Sequence, residues 1–176
     1  MRAIGPGSVS SILKVILDVV FHALWVLIIL LTLGSIGAII LALVPGAVQT
    51  LARNSHGELH VIGGPAAAAF EAASATLYTL GVVIIVGRLR RLFGSLTAGD
   101  PFHPDNVRRL QVIAIVLGAL ELGRYAAAGV AAVAHIPTDL TQGMSLTPWF
   151  AVLVVVVLSE VFREGARLRR EAELTI

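Results

Sequence analysis

The chain has no cysteine. That excludes disulfides, thiolate metal sites, iron–sulfur clusters and cysteine nucleophiles. It is also poor in charge. Charged residues fill 14% of its 176 positions, against about 25% in a soluble domain. So few polar side chains do not cover a water-facing surface when 57% of the chain is apolar. Lipid is the solvent that removes the contradiction. Lysine is nearly missing, since Lys14 is the one cation that is not arginine. The net charge of +2 therefore reflects clustered arginine, and nothing points to direct binding of nucleic acid. Also missing are a nucleophile paired with a base, a glycine-rich phosphate loop after a strand and a defensible acid–base pair of carboxylates. These absences argue against an enzyme and against a cofactor.

What is abundant is long apolar sequence. Four segments stand out, at about 19–44, 66–86, 110–134 and 146–162. All but the last exceed the roughly 20 residues that cross a hydrocarbon core about 30 Å thick. The last is short but strongly apolar, and extends into the interface. The excess length of the first and third implies tilt or interfacial extension. The first is about twice as long as a signal-peptide core and has no small-x-small site, so it reads as a span. The expected fold is all-α: a polytopic membrane protein with four transmembrane helices in a single domain, 1–176.

Arginine orients it. Arg88, Arg90, Arg91, Arg108 and Arg109 crowd the connection over 87–109, and Arg163, Arg167, Arg169 and Arg170 crowd the tail over 163–176. The N-terminal segment has Arg2 and Lys14. The two other connections have only Arg53 between them. Short arginine-rich loops stay in the cytoplasm, so both termini and the middle loop are expected inside.

Local signals agree. Gly63-Gly64-Pro65 and Thr147-Pro148 place proline at helix starts, with Thr147 as the expected N-cap. In the middle loop Pro101 and Pro104 keep the second helix from continuing. Asp100 is placed to cap the turn begun by Pro101, and Asp105 and Asn106 fall in the first turn of the third helix. Small residues crowd the second helix (Ala66 to Ala69, Ala72, Ala73, Gly81) and the third (Ala126 to Gly129, Ala131, Ala132), and Gly34 with Ala38 forms a small-xxx-small pair on the first. Close backbone approach through such faces holds helices together in lipid, within the bundle or against a second copy as a homo-oligomer.

Several polar residues invite a function. Glu121 and Arg124 share a face of the third apolar segment and form a candidate intramembrane ion pair. It is either a structural pair that offsets its own burial or part of a proton or anion pathway. Glu71 reads as an interfacial acid or a partner of Arg53 or Arg124. His56, Glu58 and His60 share an outer loop, and His135 and Asp139 lie on the same side. No recognised ligand spacing is matched, and the set reads as solvated loop rather than a metal site. Asp18 with Lys14 reads as an i,i+4 pair, His22 beside Trp25 as a polar contact, His103 as a cap residue, and Trp149 as an interface anchor.

The tail reads as a continuation of the fourth helix. Glu164 with Arg167, Arg167 with Glu171, and Arg169 with Glu173 have helical pair spacing. Phe162, Ala166, Leu168 and Leu174 form a patchy apolar stripe, and Gly165 weakens the helix locally. The tail is either a stop-transfer segment among anionic head groups or a docking helix.

Two pieces carry a resemblance. One is Gly99-Asp100-Pro101-Phe102 with Asn106 and Arg108-Arg109-Leu110. The other is Glu160-Val161-Phe162-Arg163-Glu164-Gly165-Ala166-Arg167-Leu168, followed by Glu171 and Leu174-Thr175-Ile176. Through them the chain resembles a bacterial family of four-helix inner-membrane proteins catalogued as a domain of unknown function, number 2975. The resemblance implies four spans with both pieces inside. Members are often encoded beside a small helix-turn-helix regulator, which implies a membrane partner that restrains a cytosolic transcription factor. The interaction surface expected on that basis comprises Arg88, Arg90, Arg91, Asp100, Pro101, Phe102, Asn106, Arg108, Arg109, Glu160, Phe162, Arg163 and Arg167. The outer histidines and the Glu121/Arg124 pair depart from the family pattern and receive no family role. The alternative is a small transporter using Glu121 and Arg124, or an accessory subunit of a membrane complex. No span shows the glycine- or proline-broken middle of a discontinuous transport helix.

Overall fold

The apolar segments become helices, and each helix runs past its apolar part. A computed structural model describes residues 9–44, 64–137 and 145–174. Among them α1 spans Val9–Leu43, α2 Gly64–Thr97, α3 Pro104–Val133 and α4 Thr147–Glu173. The loops carrying Arg53, His56, Glu58, His60 and Asp139, together with Arg2, lie outside the described residues.

Three helices are long and apolar enough to cross a membrane, over Ile12–Leu41, Ala66–Thr97 and Pro104–Val133. The fourth differs. Its apolar run, Pro148 to Leu158, covers about 16 Å at 1.5 Å per residue, roughly half a hydrocarbon core. Glu160, Arg163 and Glu164 follow at once.

Helix ends are set by backbone geometry. Gly99, at φ +83°, closes α2. The Asp100 N–H donates to Ser95 O at 3.0 Å and the Gly99 N–H to Leu96 O at 3.1 Å, the Schellman pair that glycine at this position permits. The prolines therefore follow a stop already made. His135, at φ 55°, ends α3 in the same way, with the Ile136 N–H donating to Ala131 O at 2.9 Å. At α4 the N-cap is Leu146, without a side-chain cap bond, and Thr147 is the first helical residue. The expected Thr147 cap is thus corrected by one position: Leu146 has a helix-like backbone, so the turn starts before the threonine.

Contacts divide the chain into two units. One comprises Met1–Leu24, Gly81–Glu121 and Ser145–Ile176; the other comprises Trp25–Leu80 and Leu122–Met144. In the first, the core is Val83, Val86, Leu92, Leu110, Ile113, Ala114 and Ala166, with buried Asn106, Ser159 and Glu121. Gly81 lets α2 and α3 approach: a Cβ there would sit 2.5 Å from Leu120 Cδ2. In the second, Ile28, Ala67 and Ala131 are buried with Ser35 and Thr79. Ala67 and Ala131, at 1% exposure each, follow the small-residue packing expected in lipid. Gly34 does not: it is exposed, and a Cβ there would meet nothing within 4 Å among the described residues. Hydroxyls on the apolar helices satisfy themselves on their own backbone. Thr32 donates to Ile28 O, Ser35 to Leu31 O and Thr79 to Ala75 O, at 2.7–2.8 Å. Such internal bonding is what a medium without water requires.

Candidate functional site

The unit holding the middle loop also gathers most of the chain's charge and a polar hub. Asn106, in the first turn of α3, is fully buried. Its Oδ1 accepts from Ser95 Oγ at 2.9 Å and from Arg109 Nη1 at 2.8 Å, and its Nδ2 donates to Pro101 O at 2.9 Å. Arg109 Nη1 also donates to Arg91 O at 2.9 Å. One side chain thus ties the end of α2, the loop and the start of α3. A buried amide of this kind is stable only when its bonds are made. His103 supports the same turn, its Nδ1 accepting from the Asp105 N–H at 3.2 Å.

The loop is fastened to α4 as well. Phe102 lies over Gly165, where a Cβ would sit 2.5 Å from Phe102 Cδ1. It also meets Phe162, with ring centroids 5.9 Å apart. Asp100 Oδ1 accepts from Arg169. Asp100 therefore pairs with the tail, and the expected capping of its own turn is replaced by this contact. Gly165, read as a weak point of the helix, is the notch that seats a ring.

α1 joins through its first turns. Asp18 accepts from Arg90, not from Lys14 as the spacing suggested, and the Arg90 guanidinium lies 4.5 Å from the Phe21 ring centroid. The Phe21 ring also fills the space beside Gly87, 3.5 Å from where a Cβ would be. His22 turns onto its own helix, with Nδ1 2.7 Å from Asp18 O.

On α4 the expected helical pairs form in part. Arg163 pairs with Glu160, and Arg167 with Glu164 at 2.7 Å and Glu171 at 3.3 Å. Arg169 pairs with Asp100, and the side chain of Glu173, its expected partner, lies outside the described ones. The apolar stripe divides: Phe162 is half-buried and Ala166 buried, whereas Leu168 and Leu174 face outward.

The thirteen residues expected to form one docking surface thus have three environments. Asn106 is interior. Arg88, Arg90, Asp100, Pro101, Arg109 and Phe162 are half-buried, and Phe102 is 38% exposed with its ring against α4. Arg91, Arg108, Glu160, Arg163 and Arg167 are exposed. Sequence reasoning missed Ser95 and Phe21, the pairing of Asp18 with Arg90 and of Arg169 with Asp100, and the role of Gly165. A glycine inside a charged helix, expected on the same membrane side as a loop phenylalanine, was the available signal for the last.

Elsewhere, Glu121 is buried at 7% exposure. Arg124 lies 4.8 Å from the Tyr125 ring centroid. Glu71 is exposed, without an ion pair among the described residues. His135 Nδ1 is 3.1 Å from Val133 O. Among the described residues no three histidine or carboxylate side chains gather as metal ligands.

The chain belongs to the family described as Protein of unknown function (DUF2975), whose model matches residues 64–176. The match starts with α2 and includes the loop, the Asn106 hub and the whole of α4. Neither the curated proteins nor the solved structures contain a match to it.

Proposed function

We propose that this member of the DUF2975 family is a non-enzymatic protein of the bacterial cytoplasmic membrane that crosses it four times, with both termini inside. It serves as a regulatory or anchoring partner of a cytosolic protein, of the helix-turn-helix regulator type. The observation that carries this reading is the fastening of Asp100 and Phe102 to Arg169 and Gly165. Two segments far apart in sequence become one composite surface. Its outward side presents Glu160, Arg163, Glu164 and Arg167 on successive turns. Pairs of this kind along a helix are worth only about 0.3–0.5 kcal/mol each. They exchange partners at little cost, which suits recognition by charge pattern.

The mechanism is sequestration. The partner sits on the joined loop and tail. A change in helix packing that lifts Phe102 off Gly165 splits the surface and releases it. The test is co-purification, from detergent, of a helix-turn-helix regulator encoded beside the gene. The full chain should retain it, and Arg163→Glu with Arg167→Glu should reduce recovery about tenfold. A chain ending at residue 162 should lose it. Equal recovery from all three, or none from the full chain, rejects the reading.

A further inference from the structure

The cations of the unit that holds the middle loop fall into two sets. In one, each guanidinium has an acid: Arg90 has Asp18, Arg109 has Asp105 at 3.8 Å, Arg163 has Glu160, Arg167 has Glu164 and Glu171, and Arg169 has Asp100. In the other, Lys14, Arg88, Arg91, Arg108 and Arg170 have no acid within salt-bridge distance among the described residues. The nearest acid along the chain to Arg108 is Asp105, which is turned to Arg109 and His103.

Lys14 lies on α1, and Arg170 lies on the tail of α4, where its Nε donates to Ala166 O at 3.4 Å; Arg88, Arg91 and Arg108 share one level of the unit. Arg88 and Arg91 flank Arg90, which meets Asp18 and Phe21 of α1. Arg108 precedes Arg109, whose Nη1 lies 2.9 Å from Arg91 O. The same level is where apolar sequence begins, at Val86 on α2 and Leu110 on α3. Each helix then continues the arginine face with apolar surface. Ile84, four residues from Arg88, is 45% exposed, and Ile115, seven from Arg108, is 70% exposed. Spacings of four and seven keep residues on one helix face. A free guanidinium heading an exposed apolar face matches a phospholipid: phosphate at the arginine, acyl chain along the helix.

We propose that Arg88, Arg91 and Arg108 form a binding site for the head group of an anionic phospholipid. The paired arginines take no part, since their charge is already answered within the protein. Unpaired arginine at lipid phosphate depth gains from anionic head groups, and a guanidinium binds phosphate through a planar fork of donors. The site rests on the membrane assignment of α2 and α3 and not on docking of a cytosolic protein.

The test uses the full-length protein in detergent, titrated with phosphatidylglycerol and with phosphatidylcholine, with retained lipid counted by native mass spectrometry. Phosphatidylglycerol should be retained and phosphatidylcholine should not. Replacing Arg88, Arg91 and Arg108 together by Gln should lower retention by about tenfold or more. Arg163→Gln with Arg167→Gln, which removes an equal kind of charge from paired positions, should leave retention unchanged. Sodium phosphate at the lipid concentration should not displace the lipid; displacement would mark a free-phosphate site and overturn the proposal. Equal retention of both lipids, or equal loss in the two sets of variants, also overturns it. Should the triple variant fail to fold, Arg91→Gln and Arg108→Gln, both at exposed positions, are read singly, and retention unchanged in both rejects the site.

Discussion

At the scale of single residues, Gly165 shows how an unfavourable choice locally is favourable in context. Inside a helix glycine costs about 0.5–1 kcal/mol relative to alanine. Here the absent Cβ leaves room for Phe102, whose ring would lie 2.5 Å from one at Cδ1. Helix propensity and packing therefore pull in opposite directions, and the sign of a substitution depends on the partner. Gly165→Ala should destabilise the wild-type protein by about 1–3 kcal/mol, the usual cost of overpacking. With Phe102→Ala already present, the same change should stabilise by about 0.5–1 kcal/mol, because only the propensity term remains. Denaturant unfolding of the four proteins in detergent gives the cycle. An effect of the same sign in both backgrounds would show that the ring is not what the glycine serves. Only the propensity contribution is visible in a single sequence: Gly165 reads as a weak point and Phe102 as a docking group, because the pairing spans the whole of α3.

Between elements, the apolar stretches of α1, α2 and α3 were legible because a run of that length has few other uses. The helix ends were less so. α2 continues to Thr97 and α1 begins at Val9, through stretches where one charged side chain answers another across helices, as Asp18 answers Arg90. Pairings local in sequence, such as Glu164 with Arg167, were readable from spacing; Arg169 was not, since Asp100 lies 69 residues away. Small residues were legible as a class but not position by position. Gly81 is pressed by Leu120, whereas Gly34 is not pressed by anything described. That difference is testable on the α2–α3 contact. Gly81→Val should destabilise by about 1–3 kcal/mol, since branched atoms meet Leu120. Adding Leu120→Ala should recover part of the loss. Gly34→Val should stay within about 0.5 kcal/mol, as expected away from a packed site. Thermal unfolding in one detergent compares all three, and equal losses at positions 81 and 34 would remove the distinction between a pressed and a free glycine.

For the molecule as a whole, the architecture turns on what α4 does in the bilayer. Its apolar run is short of a span, and a helix that lay along the interface would leave three crossings and termini on opposite sides. The contacts of Asp100 and Phe102 with Arg169 and Gly165 favour four crossings. A tail touching the loop between α2 and α3 shares that loop's side, and α3 leaves that side to reach the start of α4. The absence of cysteine makes the matter simple to test, because any introduced thiol is unique. Ala98, Leu146 and Ala172 are exposed positions, in the loop, at the N-cap of α4 and in the tail. In intact cells a membrane-impermeant maleimide should label the Leu146→Cys variant and leave the Ala98→Cys and Ala172→Cys variants unlabelled until the membrane is opened. Labelling of Leu146→Cys and Ala172→Cys from the same side would mean that α4 does not cross. The loop–tail contact would then have no common compartment in which to form, and the docking surface built on it would fall with the fourth span.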